Sequence, residues 1–158
     1  MASEKNFTPA DWQRIEAAPF MAGLAVSYGD LSSKVGIADE AGATGNAIKA
    51  GSSSPSEIVR TIAGRFARGE RPSIPAIPNK PAEAQAALID GCKAAAELVK
   101  ANAPTETDAY SHFLLECARA AAGAAREGGF IGVGIRKVSE GEELALASLA
   151  LALGLPES

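Results

Sequence analysis

Apolar residues recur three and four positions apart along most of the chain, and alternation with a period of two is scarce, so the pattern predicts helices and no sheet. The first predicted helix has Thr8 as N-cap and Pro9 in its first turn, with Trp12 and Ile15 beginning the apolar face. Pro19 lies inside that pattern. It removes one backbone donor and crowds the carbonyl four residues back, which predicts a kink or a restart near Ala18. Phe20, Met21, Leu24 and Val26 then point in several directions, as a buried half would. Residues 27–36 gather turn formers and read as a loop. A second helix is expected over Ile37–Ala50, with Ile37, Ala41, Thr44 and Ile48 on one side. Its Gly42 and Gly45 each weaken it by roughly 1 kcal/mol relative to alanine, unless they admit a close neighbour.

Ser54-Pro55-Ser56-Glu57 has the form of a capping box with proline at the first helical position, so a third helix is predicted there, carrying Ile58, Val59, Ile62 and Phe66 inward. Pro72, Pro75, Pro78 and Pro81 then exclude a helix until Pro81 and favour an extended, semi-rigid connection that Ile74 and Ile77 pin to the bundle. A fourth helix follows over Pro81–Asn102. Its stripe of Ala84, Leu88, Gly91, Ala95 and Leu98 opposes Asp90, Lys93, Glu97 and Lys100. The fifth begins at Thr105 or Thr107 and runs to Glu127, burying Tyr110, Phe113, Leu114, Cys117 and Ala121 before Gly128 and Gly129 end it.

The last helix is bounded by Ser139 with Glu142, a second capping box, and by Gly154 and Pro156. Between them Leu144, Leu146, Leu149, Leu151 and Leu153 cover more than one stripe, and a helix that is apolar all round is expected to be enclosed by its neighbours. The apolar run is about a dozen residues against the roughly 20 that a bilayer requires, which argues against a membrane span. The expected fold is all-α: a single-domain bundle of about six helices with a central C-terminal helix, residues 8–158, preceded by a flexible tail, 1–7.

Composition sharpens this picture in two ways. Alanine is abundant and aromatic residues are only 5% of the 158, which favours closely approaching helices. A net charge of -4 with both signs dispersed offers no basic field for nucleic acid. Cys92 and Cys117 lack metal-ligand spacing, and the N-terminus lacks the apolar core of a secretory signal, so a cytoplasmic protein with two buried thiols is expected.

Catalytic signatures are absent from the pattern. His112, the single histidine, shares a helix side with Glu116 and Arg119, an arrangement explained by an exposed polar face, and no nucleophile-elbow motif accompanies it. Gly128 to Val138 contains Gly132 and Gly134 but neither the preceding strand nor the spacing of a dinucleotide loop. Its Phe130, Ile131, Val133 and Ile135 are expected to plug the bundle's end, with a ligand or partner site there as the functional alternative. Arg60, Arg65, Arg68 and Arg71, with Lys80, outnumber Glu57 and Glu70 locally and form a candidate patch for an acidic partner or an anion.

Asp30 and Glu40 bracket the first interhelical connection as Glu127 and Glu142 bracket the last, so the chain reads as two degenerate copies of one unit, AGLAVSYGDLSSKVGIADE and AGAAREGGFIGVGIRKVSEGE. The stretch AREGGFIGVGIRKVSEGEELALASLALALGL resembles the helix, acidic-glycine turn and Ser-x-x-Glu helix of the tellurite-resistance TerB-like helical domains. Where such domains carry Ala-Asp-Gly this chain has Glu127-Gly128-Gly129, and the turn is longer. The resemblance implies a divalent-metal site built from paired acidic turns, here Asp30, Glu40 and Glu142, and a role in stress response or in membrane-associated complexes. A divalent cation is the only cofactor suggested. The expected function is that of a non-enzymatic helical bundle acting through a protein partner or through self-association, with a metal-binding TerB-like accessory role as the alternative.

Overall fold

A computed structural model describes residues 4–28, 37–127 and 140–156, with the side chains of 4, 37–41, 124–127 and 140 outside that description. The described residues form six helices and no strand: α1 (Pro9–Ser27), α2 (Ile37–Ala50), α3 (Glu57–Ala67), α4 (Pro81–Asn102), α5 (Thr107–Glu127) and α6 (Glu140–Ala152). Single 3-10 turns precede α1 and α5 and follow α2. The all-α bundle read from the pattern is the fold observed. The loop expected over 27–36 falls outside the described residues from 29 onward, as do Ser139 and residues 128–138.

Local chemistry explains why α1 starts where it does. Thr8 Oγ1 accepts from the Asp11 N–H at 3.1 Å, Pro9 occupies the first turn, and Phe7 stacks on Trp12 with ring centroids 5.9 Å apart. That contact joins the residue before the cap to the fourth residue of the helix, a hydrophobic staple that fixes the entry of the chain. Phe7 therefore belongs to the packed structure, where a tail was expected, because an aromatic ring one residue before an N-cap can reach the first turn.

α1 is enclosed over most of its length. It lies against α4 and α5 along its length and also meets α2 and α6. Ile15, Ala18, Ala22, Ala25 and Val26 are all at most 1% exposed. Pro19 neither ends nor restarts it, since the helix runs unbroken from Pro9 to Ser27. The carbonyl of Ile15, which the missing Pro19 N–H would have served, accepts instead from the Tyr110 hydroxyl of α5 at 2.8 Å. Tertiary packing thus supplies the donor that the local sequence lacks.

Small residues set how closely the helices approach. A Cβ on Gly23 of α1 would stand 2.9 Å from Thr44 Cγ2 and 3.2 Å from Thr44 Cβ on α2, and the latter atom cannot move without its helix. Replacing Gly23 by Ala is expected to cost about 1–3 kcal/mol by overpacking, read from the urea midpoint, with Thr44→Ala in the same chain restoring most of it. Gly45 approaches Phe66 of α3 in the same manner, its Cβ position 3.0 Å from the ring, whereas a Cβ on Gly42 would meet no other described residue within 4 Å. Close contact accounts for the first of these two glycines only.

Schellman motifs end α3 and α6. Gly69 (φ 87°) and Gly154 (φ 72°) take the left-handed conformation that glycine tolerates, and the Glu70 N–H reaches Arg65 O at 3.0 Å as the Leu155 N–H reaches Ala150 O at 2.9 Å. After Gly69 the proline-rich stretch crosses the bundle as a strap without regular structure, and Ile74 and Ile77 tuck partly into the core as expected. α4 then begins at Pro81 and ends at Asn102, the predicted bounds.

α6 packs against α4, α1 and α5 and buries Ala145, Leu149 and Ala150. Enclosure on every side does not hold, however: Leu144 is 68% exposed and Leu151 79%. The two leucines stand seven residues apart, two turns of one face, and Ser148 between them is also exposed. Three neighbouring helices cover most of a cylinder but leave one side, and alanines elsewhere on α6 let it pack without turning that side inward.

Candidate functional site

The predicted arginine patch is distributed among local partners. Arg60, near the start of α3, donates to Ser54 O at 2.6 Å. Arg65 pairs with Glu16 of α1 and lies over the Trp12 ring, 5.7 Å from its centroid, while the Trp12 indole N–H donates to the same carboxylate. Arg68 pairs with Glu70 at 3.0 Å, and Arg71 stacks 3.9 Å over Phe66 while donating to the Phe66 and Glu70 carbonyls. Each cation is engaged within the fold: Arg65 ties α3 to α1, while Arg60, Arg68 and Arg71 bond within α3 and the segments that flank it.

The N-terminus of α3 departs from its predicted form. Ser56 is the N-cap, accepting from the Val59 N–H at 3.2 Å, whereas Ser54 accepts from the Ser56 N–H and lies outside the helix with Pro55. The second acceptor comes from fifty residues away. Glu106 Oε1, in the 3-10 turn before α5, accepts from Ser56 Oγ at 2.8 Å and from the Ile58 N–H at 2.9 Å, and Glu106 is only 8% exposed. A buried carboxylate on a helix N-terminus meets both the orphan donors and the positive end of the dipole. This contact stitches α5 to α3 and has a structural purpose.

His112 is exposed on α5, with Nδ1 2.8 Å from Asp108 O, and Glu116 pairs with Arg119 at 2.7 Å. The face is polar and wet, as predicted. Of the proposed metal ligands, Asp30 lies outside the described residues, Glu40 is placed on α2 by its backbone alone, and Glu142 is buried at 2% exposure. Among the described residues no group of three or more histidine, cysteine, aspartate or glutamate side chains stands together. The proposed end plug, Phe130, Ile131, Val133 and Ile135, lies outside them as well.

Cys92 and Cys117 are both free and buried in the core. The Cys92 thiol donates to Ala18 O at 3.4 Å. Burial pushes Cys92 up to about 12, and pushes Cys117 further, with Cys92 and Glu116 adding to the shift. Tyr110 is raised too, first by burial and then by the two thiols. All three are neutral when protonated, so above the ordinary thiol range the folded chain keeps protons that the unfolded chain releases. Stability is then full below about pH 8 and falls as pH rises through 9 towards 12. Urea midpoints measured from pH 6 to 11 are expected to be flat and then decline. Ellman's reagent is expected to find almost no reactive thiol before denaturation and both after it.

Two grooves flank the strap where it passes α1, each of about 600 Å3. One is lined by Phe7, Trp12, Glu16, Arg65 and Arg71, the interlocked cluster just described. The other lies between α1 and α4, with a mostly apolar floor that includes Ala17, Met21 and Gly91 and with Arg14 and Asp90 on its walls. Neither groove was legible in the pattern, since each joins segments that are distant in sequence. Comparison with protein-family models, curated proteins and solved structures finds no match for this chain. No helix among the described residues is long and apolar enough to cross a membrane.

Proposed function

We propose that the protein works through protein contacts rather than catalysis, and that the outer face of α6 associates with the same face of a second copy. The observation that supports this reading is the pair of exposed leucines, Leu144 and Leu151, on one side of an otherwise packed helix. Large apolar side chains standing two turns apart on a helix are the anchors by which helices dock. The stripe is also self-complementary: a two-fold antiparallel crossing sets Leu144 of one copy beside Leu151 of the other, and the small Ala147 and Ser148 at its centre let the helices come close.

Magnitudes indicate a weak dimer. Burying four leucines contributes about 6–10 kcal/mol, against an association cost of about 4–15 kcal/mol. Light scattering after size exclusion is expected to show a concentration-dependent dimer only at tens to hundreds of micromolar, reduced to monomer by Leu144→Lys with Leu151→Lys. A strict monomer at several hundred micromolar that also retains no protein partner overturns the reading. A monomer that captures a different protein through the two leucines replaces the second copy with that partner.

A further inference from the structure

We propose that the groove between α1 and α4 binds a small amphoteric ligand, a short apolar peptide whose free carboxylate meets Arg14 and whose free ammonium meets Asp90. Arg14 differs from every other arginine with a described side chain. Arg60, Arg65, Arg68, Arg71 and Arg119 are each held by a carbonyl or a carboxylate, whereas Arg14 makes no hydrogen bond or ion pair, and neither does Asp90 across the groove. Two opposite charges therefore face one cavity without neutralising each other or being neutralised by the fold. In the groove on the other side of the strap, the charges are already paired, so a ligand there has to break contacts before it can form its own.

The cavity has the volume of small-molecule sites, which run to about 300–1,000 Å3, and it has their character too, an apolar floor with few polar groups at the edge. Ile74 and Pro75 of the strap form one wall. Gly91 matters to its shape because the Met21 methyl lies where a Cβ would stand, so Met21 and Gly91 meet at one end and place the neighbouring Asp90 there. Arg14 is seven residues before Met21, about 10 Å along the helix. A ligand that carries both charges on an apolar body can meet Arg14, Asp90 and the apolar floor together, and a dipeptide is the simplest peptide of that kind. Both charges are exposed to solvent, so the expected affinity is modest.

The test is titration of the intact protein with leucyl-leucine, N-acetyl-leucyl-leucine and leucyl-leucine amide, followed by amide NMR shifts of Gln13, Ala17 and Gly91 and by calorimetry. The free dipeptide is expected to saturate these shifts and to bind about two- to fivefold more tightly than either blocked form, one exposed charge contact being lost in each. Arg14→Gln is expected to abolish the preference for the free carboxylate alone, and Asp90→Asn the preference for the free amine alone. Neither side chain has an intramolecular bond to lose, so both variants are expected to keep the thermal midpoint. Ala94→Leu, which fills the groove, is expected to abolish all three affinities while leaving the light-scattering mass unchanged. Absence of saturable shifts, equal affinity for free and blocked peptides, or loss of both preferences in one variant overturns the proposal. Tight binding of the N-acetyl form at the free peptide's affinity assigns a simple anion site and overturns it as well.

Discussion

Glu106→Ala is expected to destabilise the protein by about 2–4 kcal/mol, because it leaves the Ser56 hydroxyl and the Ile58 N–H buried without their shared acceptor. Two hydrogen bonds to a charged group at a helix N-terminus would suggest a larger loss. The second oxygen of Glu106 moderates it, since Oε2 is buried with no hydrogen-bond partner among the described residues and its desolvation already opposes folding. Glu106→Gln keeps one acceptor and loses the charge, so it is expected to fall between the wild type and the alanine variant. Equilibrium urea unfolding reads both. If Glu106→Ala matches the wild type within about 0.5 kcal/mol, the cap is not supplied across the fold.

Tyr110→Phe is the second large effect, at about 1–3 kcal/mol, the cost of leaving a buried carbonyl without a donor. The hydroxyl serves Ile15 O because Pro19 has no N–H to offer. A specific rescue follows. Pro19→Ala restores a donor on the chain itself, so Tyr110→Phe is expected to cost much less in the Pro19→Ala background than in the wild type. A double-mutant cycle measures that coupling, and additive losses would show that the two residues do not share the carbonyl.

The two sites show what a pattern of residues conveys and where it stops. Pro19 announced in the sequence that Ile15 O would lack its helical donor, but nothing in the sequence said that Tyr110, ninety-five positions on, would replace it. At α3 the pattern pointed to Ser54 as the cap with Pro55 at the first helical position, and the helix instead starts two residues later with Ser56 as its cap. Glu106 favours Ser56, since it binds both the Ser56 hydroxyl and the N–H two residues later. Arg60 to Arg71 read as a patch by proximity along the chain, although in space Arg65 turns to Glu16 and Arg71 to Phe66. Asp90 reads from the pattern only as part of the polar side of α4 and Arg14 only as a polar residue of α1, and the packing of α1 on α4 is what places them on one groove.

For α6 the apolar content was plain, but hydrophobicity does not say which faces are covered. Three neighbours bury Leu149 and leave Leu144 and Leu151 to solvent, which changes the helix from a mere core element into the surface on which the proposed function rests.

The sequence by itself determined the helices of this protein and most of their ends, because periodicity, proline at the first turn and glycine past the last act within a few residues of one another. α2 and α4 begin and end where that reading placed them. Tertiary structure alone decided which orphan backbone group meets which distant side chain, which side of α6 stays uncovered, and which charges share a cavity. Those outcomes depend on how helices far apart in the chain settle against each other, and the energies that select them come from burial and from hydrogen bonds that exist only once the helices have met.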